Sequence, residues 1–90
     1  MEKTIITVVG RDRVGIIAAV CTYLAQNGVN ILDISQTITG GFFNMMMITD
    51  ITGASKPFGQ LCDELGEIGE GLCMQIRMQK EDIFDAMHRV

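Results

Sequence analysis

The segment Val8–Gln36, VVGRDRVGIIAAVCTYLAQNGVNILDISQ, carries the patterns that decide the fold. β-branched residues predict a first strand over residues 4–9, and apolar residues then recur at helical spacing over residues 14–26. Gly28 suits the left-handed position that ends many helices. Beyond it, apolar and polar residues alternate, which predicts a second strand with one buried face.

The rest of the chain predicts two more strands and a second helix. Gly40–Gly41 is typical of a hairpin turn, and the following strand pattern over residues 42–51 is apolar on both faces, so both faces are expected to be covered. A second helix is expected after a cap at Ser55, followed by an alternating strand over residues 72–79. A short C-terminal helix is expected over residues 80–90.

The predicted order β-α-β-β-α-β defines an α+β fold of the ferredoxin-like βαββαβ type. Such a fold packs two helices on one face of a four-stranded antiparallel sheet, here with a short C-terminal helix added. The chain of 90 residues is expected to form a single domain, residues 1–90. Its second sheet face stays bare unless the C-terminal helix or a second copy covers it, and a closed homodimer is the commoner solution.

Composition excludes several classes of function. The formal net charge of −4 disfavours nucleic acid and membrane surfaces as direct partners. No apolar run approaches the roughly 18 residues of a spanning helix, and the N-terminus enters a strand pattern directly, so a cytoplasmic protein is expected. Cys21, Cys62 and Cys73 lack a C-x-x-C spacing and are expected to be buried thiols. Neither a metal site nor a cofactor is predicted.

The loop GRDRVG after the first strand matches a phosphate-binding turn only in its outer glycines. Asp12 stands where the dinucleotide motif needs its middle glycine, and its carboxylate repels phosphate. Asp12 is instead a candidate N-cap of the first helix. An acylphosphatase-like hydrolase would use Arg11 or Arg13 with Asn44, but the glycine–phenylalanine–arginine end of that enzyme's loop is absent. This hydrolase is the most distant alternative.

Several motifs together resemble the ACT domain family, the small regulatory domains of amino-acid metabolism. They are Asp-Arg-x-Gly in the loop, an apolar helix, Asn-Gly-x-Asn-Ile, and a strand that reaches Gln36. Val14 stands where many relatives have proline, as in several stand-alone members. The whole chain is similar to the single-domain bacterial type and to the N-terminal half of the glycine-cleavage transcriptional repressor.

The resemblance implies a ligand site, because family members commonly bind an amino acid between the domains of a dimer. Carried over by position, Asp12 and Gly15 would line the site from the loop. Asn30 and Ile31 would line it from the strand entry, Ile31 through its backbone, and Gln36 from further along. Gly15 leaves the backbone open, Asp12 can accept from an ammonium group, and the two amides both donate and accept.

Each of these residues also has a purely structural interpretation. Asp12 can be a cap alone, Gly15 can allow close helix packing, Asn30 can stabilise a turn and Gln36 can point to solvent. The resulting hypothesis is a non-catalytic regulatory domain that binds a small ligand, an amino acid, at a homodimer interface and acts on a protein partner in trans. The main alternative is a ligand-free interaction module.

Overall fold

The computed structural model describes residues 1–81. Its elements are β1 (Lys3–Arg11), α1 (Ile16–Gln26), β2 (Asn30–Thr39), β3 (Phe42–Asp50), α2 (Phe58–Leu72) and β4 (Met74–Lys80). The strands form one four-stranded sheet in the order β2-β3-β1-β4, and every neighbouring pair is antiparallel. The ferredoxin-like prediction is confirmed. The predicted C-terminal helix lies, from residue 82 onward, outside the described residues.

The core fills the space between one face of the sheet and the two helices. Register determines which strand residues share that face: Ile6 pairs with Met47 and Val8 pairs with Met45. Residues four apart then line the inner face of each helix, as helical periodicity requires. The buried apolar strand residues on that face are Ile6, Val8, Phe43, Met45, Met47, Met74, Ile76 and Met78, and the buried apolar helix residues are Ile16, Val20, Leu24, Leu61 and Leu65.

Gly10 packs closely against the start of β4. A Cβ at Gly10 would lie 2.6 Å from Met74 Sδ and 3.2 Å from the Cys73 carbonyl oxygen. Gly69 makes the same kind of room in α2, where a Cβ would lie 2.7 Å from the Met74 carbonyl oxygen. The first glycine of the GRDRVG loop therefore serves the packing of the sheet.

Two hydroxyls form a hydrogen bond inside the core. Thr4 and Thr49 pair across β1 and β3, both are fully buried, and their Oγ1 atoms lie 2.6 Å apart. The Thr49 hydroxyl also reaches the Thr4 carbonyl oxygen at 3.4 Å. Each hydroxyl therefore satisfies the other in a place without water.

A polar cluster on the surface links α1 to α2. Glu64 accepts hydrogen bonds from Lys56 Nζ and from the Tyr23 hydroxyl, both at 2.7 Å, and from Gln60 Nε2 at 3.0 Å. The Lys56 hydrogen bond, with those of Tyr23 and Gln60, lowers the pKa of Glu64 to about 2. Partial burial and the hydrogen bond to Glu64 raise the pKa of Tyr23. Because Tyr23 belongs to α1 and Glu64 to α2, their hydrogen bond joins the two helices directly.

Helix α2 differs from the sequence-based expectation at both ends. Ser55 does not cap α2, because Pro57 holds that position, and Ser55 N–H instead donates to the Asn27 carbonyl oxygen at 2.9 Å. At its other end α2 continues to Leu72, where the last strand was expected to begin. Gly28 has the expected left-handed conformation, with φ 71°. It follows α1 as predicted.

The expectation of three buried thiols is wrong for Cys73. This residue caps the C-terminus of α2 with φ 57°, and its side chain is exposed. Cys21 and Cys62 are partly buried, and Cys62 Sγ lies 3.6 Å from the Met78 carbonyl oxygen. Burial raises the pKa of the Cys62 thiol. Cys73 directly precedes the buried Met74, and in the alternation of this segment it takes the outward position.

One expectation of burial is corrected. β2 was expected to bury one face, but the helices do not cover this edge strand, and Ile34 and Ile38 are 42% and 56% exposed. β3 is expected to be covered on its second face by the C-terminal helix or by a second copy; in the single chain, Phe42 and Met46 on that face are 56% and 41% exposed. With Val9 they form the exposed apolar part of the sheet face opposite the helices, called the open face below.

The threonine pair gives a test of the core. Replacing Thr49→Val leaves the Thr4 hydroxyl buried without its side-chain partner, so the free energy of unfolding should fall by about 1–3 kcal/mol. The double variant Thr4→Val/Thr49→Val removes both hydroxyls and should lose less than the single variant. Urea unfolding of the three proteins measures both quantities. A double variant at least as destabilised as the single one would contradict the proposed mutual satisfaction.

Candidate functional site

A groove lies where β1 ends, α1 begins and the second half of β2 passes alongside. It encloses about 210 Å³ and is called the loop groove below. The loop between β1 and α1 forms one side, and β2 with β3 forms the other. Its lining residues are Asp12, Arg13, Gly15, Ile16, Ile17, Ala18, Gln36, Ile38 and Phe43.

Two hydrogen bonds fix the loop. The Asp12 N–H donates to the Gly41 carbonyl oxygen at 2.8 Å, which ties the end of β1 to the turn between β2 and β3. Arg13 Nη1 donates to the Leu72 carbonyl oxygen at 3.2 Å, at the end of α2. The loop is therefore held from both sides, and Asp12 lines the groove.

Asp12 is not the cap of α1, so that prediction is wrong. The N-cap is Gly15, and no side chain makes a capping hydrogen bond. Asp12 lies three residues earlier, too far to bond the N–H groups two or three residues into the helix. The carboxylate is therefore not used by the helix.

Gly15 is needed for its backbone conformation. Its φ is 92° and its ψ is 0°, a left-handed conformation that disfavours side chains with a Cβ. A Cβ there would meet no heavy atom within 4 Å, so the expected close packing of helix on sheet is not the reason for the glycine. The same empty space leaves this part of the backbone open to the groove.

The first turn of α1 faces the groove with unused donors. The first helical hydrogen bond runs from Ala19 N–H to the Gly15 carbonyl oxygen at 2.9 Å, so the N–H groups of residues 16–18 lack an i−4 partner within the helix. All three of those residues line the groove. Free N–H groups and the positive end of the helix dipole together attract carboxylates and other anions.

The structure brings three of the five predicted site residues together. Asp12, Gly15 and Gln36 line the loop groove, whereas Asn30 and Ile31 do not. Asn30 pairs with Asp50 at the opposite end of β2, six residues from Gln36, which is about 20 Å at the ordinary rise of a strand. Within one chain the two halves of the predicted site are therefore separate.

Sequence reasoning missed the apolar part of the groove. Ile17, Ile38 and Phe43 all line it, and Gln36 and Ile38 share a sheet face because they pair with Met45 and Phe43. The alternation of β2 carried this signal, but it was interpreted as burial in the core. It marks the wall of a groove instead, because α1 stops short of the β2 edge.

The hydrolase residues do not meet in one depression. Asn44 lines a shallow hollow with Ser35, Thr37 and Met46, while Arg11 and Arg13 line another near Cys73. Among residues 1–81, no three His, Cys, Asp or Glu side chains are placed to hold a metal ion. In the same part of the chain, no helix has the length and apolar character to cross a membrane.

Comparisons with known proteins agree with this fold. The ACT domain family model matches residues 2–79. A UPF0237 protein of Bifidobacterium longum is 58% identical over 90 residues, with both chains fully covered. The chain therefore belongs to the ACT domain family, whose members are regulatory ligand-binding domains.

Two solved structures place it further within that family. An ACT domain protein from Streptococcus pneumoniae superposes with a TM-score of 0.81 at 40% identity, covering 97% of this chain and 98% of the other. A putative glycine cleavage system transcriptional repressor superposes with a TM-score of 0.74 at 26% identity, covering 88% of this chain and 45% of the other. The predicted resemblance to both kinds of protein is confirmed.

Gly15 offers a test of the loop. Gly15→Ala forces a Cβ into the left-handed region and should lower the free energy of unfolding by about 1–2 kcal/mol. Gly66→Ala is the matched control, since Gly66 lies inside α2 and a Cβ there would also meet nothing within 4 Å. That variant should gain about 0.5–1 kcal/mol. Equal effects of the two substitutions in urea unfolding would show that the Gly15 conformation is not required.

Proposed function

We propose that this protein is a regulatory domain that binds an amino acid in the loop groove of a homodimer. The observation that carries the proposal is the chemistry of the groove. A carboxylate, Asp12, and the uncapped N-terminus of α1 line the same small space. An amino acid has an ammonium group for the first and a carboxylate for the second.

The other polar lining residues fit this orientation. Arg13 keeps guanidinium N–H groups beyond the one that bonds Leu72, and these can assist the ligand carboxylate. Gln36 offers an amide from the β2 side. The site is open at Gly15, so a ligand can approach the backbone closely.

The edge of β2 supports a dimer. It is the outer strand next to β3, and every residue from Leu32 to Thr39 is exposed. An unprotected edge strand has free N–H and C=O groups that a second strand can bond. Two copies related by a two-fold axis would pair β2 with β2 in antiparallel fashion and join their sheets. Such a pair would also cover Ile34.

This pairing would complete the predicted site. In an antiparallel pair, the start of one strand lies beside the end of the other. The partner's Asn30 would then come close to Thr39 of this chain, at the end of β2 that borders the loop groove. Asn30 and Ile31, which are remote within one chain, would in this way contribute to a ligand site between two subunits.

A regulatory output would pass to another protein. The Bifidobacterium longum relative, 58% identical, is matched over its full length. A domain of this kind can act by presenting a different surface when ligand is bound. We therefore propose that this protein acts on a protein partner in trans and that both are cytoplasmic. Direct contact with nucleic acid is not part of the proposal, since the net charge is −4.

The open face favours a second candidate, an interaction module without ligand. Val9, Phe42 and Met46 are 44%, 56% and 41% exposed on this face. Clustered exposed apolar residues mark many protein interfaces. In this alternative the sheet face, and not the groove, would carry the function.

Ligand binding is tested by thermal shift with each of the twenty amino acids. A ligand at about one hundred times its Kd should stabilise the native state by about 2.7 kcal/mol. Asp12→Asn and Gln36→Ala should each remove most of this shift, because they take away groups that face the ligand. Asp63→Asn is the control, since Asp63 is an exposed carboxylate on α2 that does not line the groove. No shift with any amino acid would favour the interaction module.

The dimer is tested by light scattering after size exclusion. Ile34→Lys places like charges near the proposed two-fold axis and should convert the dimer to monomer. Val9→Lys is the matched control on the open face, since Val9 and Ile34 are 44% and 42% exposed. Dissociation by the Val9 substitution alone would move the interface to the open face. If the parent protein is monomeric at high micromolar concentration, the proposed dimer is contradicted.

A further inference from the structure

The loop groove has two chemically different parts. Its polar part contains Asp12, Arg13, Gln36 and the N-terminus of α1. The proposed function assigns Asp12, Arg13 and the helix N-terminus to the ammonium and carboxylate groups shared by every amino acid. Its other part is apolar and is formed by Ile17, Ile38 and Phe43, with Ala18 beside them. The common groups of the ligand thus leave an apolar space for its side chain.

The apolar residues come from different elements and surround this space. Ile17 belongs to α1, Ile38 to β2 and Phe43 to β3, and all three line the groove. Phe43 is only 2% exposed, so it forms a fixed floor, whereas Ile17 and Ile38 are 40% and 56% exposed. A ligand side chain between the two isoleucines would remove apolar surface of both from water, which favours binding when that side chain is itself apolar.

The charges of the groove lead to the same selection. Asp12 and Arg13 are the charged residues among those that line it. Once they face the ammonium and carboxylate groups, a charged ligand side chain would lie between isoleucines without a partner of opposite charge, which is strongly unfavourable. Gln36 is the one uncharged polar side chain that lines the groove, so it could hydrogen-bond a small neutral polar group of the ligand only on the β2 side. Aspartate, glutamate, lysine and arginine are therefore disfavoured as ligands.

We infer that the ligand is an amino acid with an apolar side chain, of the leucine, isoleucine, valine and methionine class. This inference rests on the proposed function, because it takes the polar part of the loop groove as the site of the ammonium and carboxylate groups. It adds the selection among amino acids, which depends on Ile17, Ile38 and Phe43. A change in Ile38 should therefore alter which amino acid binds, while a change in Asp12 should weaken all of them.

The test is titration calorimetry of the intact protein with leucine, methionine, asparagine, lysine and glutamate. Leucine or methionine should bind at least about tenfold more tightly than the three others, since a single methylene in an apolar pocket changes affinity about 10- to 200-fold. Ile38→Asn should weaken leucine and methionine by about tenfold and change the others less. Ile38 is exposed, so this substitution leaves the core intact.

Val14→Asn is the matched control, because Val14 is a β-branched residue of the same loop, is 97% exposed and does not line the groove. It should bind leucine as the parent protein does. If asparagine, lysine or glutamate binds more tightly than leucine and methionine, the inference is overturned. If Asp12→Asn abolishes that binding, the proposed function stays in place. Leucine binding that Ile38→Asn does not weaken would also overturn the inference. Absence of binding by every amino acid would overturn both.

Discussion

The structure depends on one constraint: only one face of the sheet is buried under the two helices. Every strand residue of the core cluster lies on that face, from Ile6 and Val8 on β1 to Met78 on β4. β2 is the outer strand next to β3, and its residues from Leu32 to Thr39 are exposed, so the helices leave a margin of the sheet uncovered there. The loop groove lies at this margin, and the open face is the side of the sheet that carries no helix.

The loop groove lies at this margin, which explains its mixed chemistry. One side is the start of a helix, which supplies unbonded N–H groups, and the other is a strand whose apolar side chains extend past the core. Gly15 connects the two because its left-handed conformation turns the chain into α1 without a side chain over the groove. A small molecule with charges at one end and apolar character at the other suits such a place.

The fold was largely predictable and the site only partly so. Local spacing revealed α1 and the inward residues of β4, since Met74, Ile76 and Met78 are buried as expected. The same kind of pattern gave a wrong prediction for β2, namely that one of its faces is buried. Alternation shows which residues share a face but not whether another element covers that face. The prediction of Asp12 as a cap fails for a related reason: local sequence does not reveal that Gly15 delays the start of the helix.

By itself the sequence determined the order of the elements, the family and the presence of Asp12, Gly15 and Gln36 near a strand-to-helix loop. These depend on interactions between residues close in the chain, which periodicity and motifs record. Only the tertiary structure decided that Gln36 and Ile38 join Asp12 in one groove, and that Asn30 lies at the far end of β2. Those relations depend on strand direction and on how far each helix extends over the sheet, quantities that arise only when distant segments pack together.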